Sequence, residues 1–180
     1  MRLNHTRGWR LLYGPTATLE AANVAFIGLN PGGSEVATGH GEFEQPEGSA
    51  YVIESWAGHP AGESPLQRQV RALFSYLRQE PHNVLAGNLV PFRSPSWAEL
   101  PDRRRTIDFG AALWKRILER AKPKLVICMG KETYHSLSRV LGAGSPKVTE
   151  VNWGKVTARR ASYYGGEIVG LPEPRGQTAR

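Results

Sequence analysis

A chain of 180 residues with 40% apolar and 22% charged side chains suits one domain with a full core, and this composition excludes wholesale disorder. No run approaches the roughly 18 apolar residues that span a bilayer, and the single cysteine, Cys128, excludes an internal disulfide and an all-cysteine metal site. The net charge of +7 and pI of about 9.9 favour an anionic partner, of which nucleic acid is the commonest.

The N-terminal stretch carries Arg2, Arg7 and Arg10 around Trp9, Leu11, Leu12 and Tyr13. It reads as an arm over a sheet edge, ended by Gly14-Pro15. No apolar secretory core follows Met1, so a cytoplasmic protein is expected. Val24-Ala25-Phe26-Ile27 is a buried parallel strand by its unbroken apolar run. It breaks into Gly28-Leu29-Asn30-Pro31-Gly32-Gly33, where Pro31 pushes Asn30 toward extended geometry and the glycines permit close approach of a ligand. Such a loop lies at the carboxyl end of a strand, where open α/β sheets bind ligands. By its residues alone it is equally a tight turn without chemistry.

From 34 to 63 the chain is rich in Gly and Pro, a loop of about 30 residues, a length that is usually functional. Phe43, Tyr51 and Trp56 are spaced through it, as anchors or as a platform on which a base stacks. His40 and His59 lack metal-ligand spacing, so no metal site is expected. Ser64, Pro65 and Gln67 open a helix with a capping box, and Leu66, Val70, Leu73, Phe74 and Leu77 form its apolar face.

Residues 83–93 read as a second strand running into a loop, with Asn88 a polar residue within the apolar run, a proline-terminated turn after it and Arg93 at the end. The Asn88 carboxamide either satisfies local backbone or, carrying both a donor and an acceptor, matches the O4 and N3–H edge of uracil or thymine. Arg103, Arg104 and Arg105 precede a helix over 108–121 and are either phosphate contacts or a solvated helix entry. A third strand (124–129), a helix (131–141), short strands within 148–164 and a last strand (167–171) complete the chain. The glycine spacing after the third strand fits neither the Rossmann nor the Walker pattern.

Gly28-Leu29-Asn30-Pro31-Gly32 resembles the first motif of the uracil-DNA glycosylase superfamily. It is closest to the mismatch-specific and single-strand-selective branches, in which an Asn stands where other branches carry a catalytic Asp. The resemblance implies a three-layer α/β/α sandwich around a mainly parallel sheet of four to five strands. It makes Asn30 the catalytic residue that orients water, Asn88 the reader of the base, and Gly28, Leu29, Pro31 and Gly32 part of the base pocket. Phe43, Tyr51 and Trp56 are the stacking candidates.

Leu171-Pro172-Glu173-Pro174-Arg175-Gly176 resembles the second motif, in the form His-Pro-Ser-Pro-Arg-Asn. Leu171 or, one step along, Glu173 stands where the His belongs. The motif implies DNA contacts at Pro172, Glu173, Pro174 and Arg175, joined by Arg103, Arg104 and Arg105. The implied activity is monofunctional excision of uracil or a related deaminated or mismatched base, with no cofactor, by a monomer acting on DNA and not on membranes. The alternatives are a DNA-binding protein on the same fold with catalysis lost, and an unrelated α/β enzyme for a small phosphorylated molecule.

Overall fold

The computed structural model describes residues 5–32, 41–151 and 156–172. In chain order the elements are β1 (Trp9–Arg10), α1 (Thr18–Ala21), β2 (Val24–Gly28), β3 (Gly41–Glu42), α2 (Ala50–Ile53), α3 (Pro65–Tyr76), a 3-10 turn at Pro81–Asn83, β4 (Leu85–Asn88), α4 (Arg103–Ala121), β5 (Leu125–Met129), α5 (Lys131–Val140), β6 (Lys147–Glu150), β7 (Thr157–Tyr163) and β8 (Gly166–Leu171). Six strands form the main sheet in the order β4-β2-β5-β8-β7-β6. The first four in that order are mutually parallel, and β7 and β6 add on antiparallel. The sheet is one strand wider than the resemblance implied, because the segment after α5 folds into a hairpin whose outer strand, β6, is exposed along its whole length.

Helices cover both faces, which is why β2 is buried at every residue. Ala25 and Ile27 of β2 point to one face with Leu85, Val126, Cys128 and Ile168, where Trp114 and Leu118 of α4 and Leu137 of α5 pack. Val24 and Phe26 point to the other face with Ala86 and Ile127, against Tyr51, Val70 and Phe74. This is the expected α/β/α arrangement. Burial pushes the Cys128 thiol far up, so it is an inert core group. No helix among the described residues is long and apolar enough to cross a membrane.

Three local features carry the site. The arm does lie over the sheet edge: Tyr13 N–H donates to the Ala86 carbonyl at 2.8 Å, Leu12 bridges antiparallel to Gly87, and Arg10 N–H donates to the Pro91 carbonyl at 2.8 Å. α3 starts with the expected capping box, and the buried Gln67 also donates from Nε2 to the carbonyls of Ala50 (3.0 Å) and Glu54 (2.7 Å). That amide straps α2 and the chain after it onto α3, although no apolar period marks α2 as helical.

The third feature is α4, which starts at Arg103 and not at 108, so the three arginines form its first turn. Its parallel crossover from β4 to β5 sets its N-terminus at the carboxyl end of the sheet. There it closes tightly on the chain after β4, where any side chain at Gly110 would overlap the Leu89 carbonyl.

Candidate active site

β2 and β4 are neighbours in register, with Gly28 opposite Asn88, so the two polar loops leave the sheet side by side. Pairing continues past the strands: Leu89 N–H donates to the Gly28 carbonyl at 2.8 Å and Val90 N–H to the Leu29 carbonyl at 2.9 Å. Further out, Ser94 N–H donates to the Pro31 carbonyl (3.3 Å), and Arg93 reaches the Gly32 carbonyl with Nη1 (3.5 Å). Leu29 and Asn30 are half-buried, Pro31 is buried and Gly32 is exposed. Asn30 donates from Nδ2 to the Pro31 carbonyl at 3.1 Å. The side chain is thereby oriented, and the described residues make no hydrogen bond to its Oδ1.

Asn88 is 6% exposed and lies on the α2/α3 face of the sheet. Its backbone carbonyl accepts from the Trp114 indole at 2.6 Å, which anchors the strand end on α4. Its Nδ2 donates to the Tyr13 hydroxyl at 2.9 Å. Its Oδ1 occupies the space where a side chain at position 28 would stand, and the described residues make no hydrogen bond to it. A carboxamide held by one N–H, with one N–H and one acceptor left over, is a donor–acceptor pair suited to a planar polar edge.

Beneath this pair is a charged and aromatic support. Tyr13 lies between the Arg10 guanidinium, 4.5 Å from its ring centroid, and the rings of Tyr51 (5.6 Å) and Trp56 (5.8 Å). Burial pushes the Tyr13 phenol above the ordinary tyrosine value, so it is a neutral hydroxyl at physiological pH. Arg10 is 5% exposed and is held by Glu54 through two bonds, Nη1 at 2.8 Å and Nη2 at 2.5 Å. Glu54 also accepts from Gln45 Nε2 and Trp56 Nε1, each at 2.8 Å. Burial alone would raise its carboxyl, but the hydrogen bonds from Arg10, Trp56 and Gln45 outweigh burial and hold it below the ordinary value. Glu42 adds a second carboxylate, 3.4 Å from Arg10 and 4.0 Å from Arg93.

The three aromatic candidates fall in different places. Tyr51 is 3% exposed inside the core, edge-on to Phe26 and Phe74. Trp56 is half-buried, with its indole committed to Glu54. Phe43 is 48% exposed, directly after β3, and its carbonyl accepts from Leu12 N–H at 3.0 Å. Arg103, Arg104 and Arg105 are all exposed at the same end of the sheet, and Asp102 before them makes no side-chain cap.

Leu171 ends β8 half-buried, with its carbonyl accepting from Gly130 N–H at 2.9 Å, and Pro172 follows. Gly33, Glu173, Pro174 and Arg175 lie outside the described residues. Among the described residues, no three His, Cys, Asp or Glu side chains gather as a metal site would require.

Sequence reading missed Tyr13, Arg10 and Glu54. Tyr13 lies 75 positions from Asn88, and Arg10 lies 44 from Glu54. No local pattern joins such pairs.

A search of curated proteins finds no match for the chain. The family model described as the uracil DNA glycosylase superfamily matches residues 16–180. That match spans most of the chain, including both polar loops and the six-stranded sheet. The chain therefore belongs to the uracil DNA glycosylase superfamily, with a DNA glycosylase-type function and DNA as its partner.

Proposed function

We propose that this protein is a monofunctional uracil-type DNA glycosylase that hydrolyses the N-glycosidic bond of uracil or a related deaminated or mismatched base. The observation that carries the reading is the pairing of Gly28 with Asn88 in adjacent strands. It sets the Asn30 loop and a buried carboxamide with free donor and acceptor atoms side by side at the carboxyl end of the sheet.

The target base first leaves the stack, at a cost of a few kcal/mol that is smallest at mismatches and in single strands. Of the aromatic candidates, Phe43 has the exposure to stack on it. Asn88 accepts N3–H at Oδ1 and donates its remaining N–H to O4. Asn30, held through Nδ2 on the Pro31 carbonyl, accepts from the attacking water at Oδ1. The water oxygen bonds to C1′ as the C1′–N1 bond breaks. The electron pair leaves on the base, and the water proton passes to solvent. Fixed dipoles aimed at the departing base supply most of the stabilisation, with the backbone N–H of Gly32 among them. An amide is no strong base, so the enzyme is slow.

Arg103, Arg104, Arg105 and Arg175 hold the DNA backbone, and the second-motif loop of Pro172, Glu173 and Pro174 enters the minor groove. Cations in a first helical turn oppose the helix dipole, so stability does not explain the triplet. Replacing all three by alanine lowers DNA affinity across sequences. It also flattens the plot of log affinity against log salt by about 0.7–0.9 for each phosphate no longer neutralised, as read from binding titrations between low and physiological salt.

A second reading, a DNA-binding protein with catalysis lost, is favoured by one observation. Leu171, apolar and packed against the core, stands where the resemblance calls for His. Strand cleavage after alkali separates the two. Labelled oligonucleotides carrying uracil opposite G, opposite A and in single strands, with hypoxanthine and mismatched thymine alongside, are cut at the target base if the enzyme reading holds. Salt-sensitive binding without cleavage at any base leaves the binding protein.

A further inference from the structure

The position of Tyr13 deepens the proposed function and rests on its reading that Asn88 recognises the base. We infer that Tyr13 is a positioning residue for base recognition: its hydroxyl takes one N–H of Asn88 at 2.9 Å and holds the carboxamide in the place where it meets the base.

A free asparagine side chain swings about its two χ bonds, and its carboxamide meets a planar base edge only when it lies in the plane of that edge. Uracil offers a donor at N3 and an acceptor at O4, which take both ends of the carboxamide at once. The described residues supply no other hydrogen bond to this side chain's amide than the one to Tyr13, so that bond holds its place.

The phenol is itself a fixed point. Its backbone N–H is bonded to the Ala86 carbonyl two residues before Asn88, so the arm and β4 move together. Its ring is confined by Arg10 on one side and by Tyr51 and Trp56 on the others. Arg10 is in turn held by Glu54, which also binds Gln45 and Trp56. The chain from Glu54 to Arg10 to Tyr13 to Asn88 passes the order of a partly buried ion pair to the reading group. Arg10 and Tyr13 both precede residue 16, where the family match begins, so the arm supplies this support from outside the matched stretch.

Tyr13→Phe keeps the ring, the packing and the Arg10 contact, and removes only the hydroxyl. Single-turnover uracil excision is measured for wild type and Tyr13→Phe, with DNA affinity, thermal midpoint and the Asn88 side-chain amide signals of nitrogen-15-labelled protein in parallel. The expected result is a fall of about tenfold in the uracil rate at unchanged DNA affinity, with the Asn88 amide signals moving to the averaged positions of a free carboxamide. An unchanged uracil rate overturns the assignment of Tyr13 alone. A loss that follows the thermal midpoint, with the Asn88 amide signals unmoved, also overturns it, because a purely structural tyrosine behaves that way. Wild-type protein that releases no uracil overturns this inference together with the glycosylase reading.

Discussion

Under the proposed glycosylase function, Gly28→Ala is expected to lower uracil excision by about a hundredfold or more while leaving the protein folded. The reason is not backbone freedom, because Gly28 is not among the glycines with positive φ and sits in a regular strand. Its importance lies across the strand. A methyl group there would overlap Asn88 Oδ1 and come within 3.5 Å of Met129 Cε. The carboxamide is the movable partner, so it swings aside, gives up its bond to Tyr13 and no longer meets the base. The first residue of the Gly-Leu-Asn-Pro-Gly motif thus makes room for a residue in the next parallel strand. Excision rates and thermal midpoints measured together test this. Wild-type activity in Gly28→Ala would show that Asn88 does not act from its place beside Gly28.

Glu54→Ala has the largest effect on stability, about 3–5 kcal/mol, because it leaves the buried Arg10 guanidinium without its two-bond partner. For a chain of this size that lowers the thermal midpoint by roughly 10 °C. Glu42, 3.4 Å from Arg10, keeps the loss from being greater. The same pair sets an acid limit. Glu54 titrates below its ordinary value when folded, so its contribution is complete above pH 4.5 and is lost as the pH falls through the folded value. Thermal melts between pH 7 and pH 3 fall steeply for the wild type at the acid end and more shallowly for Glu54→Ala. Parallel slopes would mean that Glu54 does not set the acid limit.

Much of this architecture is legible in the sequence where a local pattern reports it. The unbroken apolar run at Val24–Ile27 becomes a strand because both faces are covered, and Ser64 with Gln67 forms the capping box its spacing requires. Asn88 at the end of an apolar run is visible as an anomaly before its partners are known. The start of α4 is hidden for a physical reason. Asp102 adopts φ of 48° and offers no side-chain cap, and the helix is held instead by Gly110 on the Leu89 carbonyl and by Trp114 and Leu118 in the core.

α2 is hidden for a similar reason. Its four residues rest on Gln67 and on the bond from Ala50 N–H to the Tyr13 carbonyl. The support for Asn88 is the least legible part, since Tyr13, Arg10 and Glu54 meet only through the fold.

Release of free base tests the central claim most directly. Enzyme in excess over an oligonucleotide with one uracil is incubated at low salt, and free uracil and abasic sites are quantified by mass spectrometry. The expected result is one uracil released per abasic site formed by the wild type, and little or none by Asn30→Ala or Asn88→Ala at undiminished DNA binding. Bound, intact oligonucleotide with no free uracil from the wild type, or full release by both Asn variants, would contradict it.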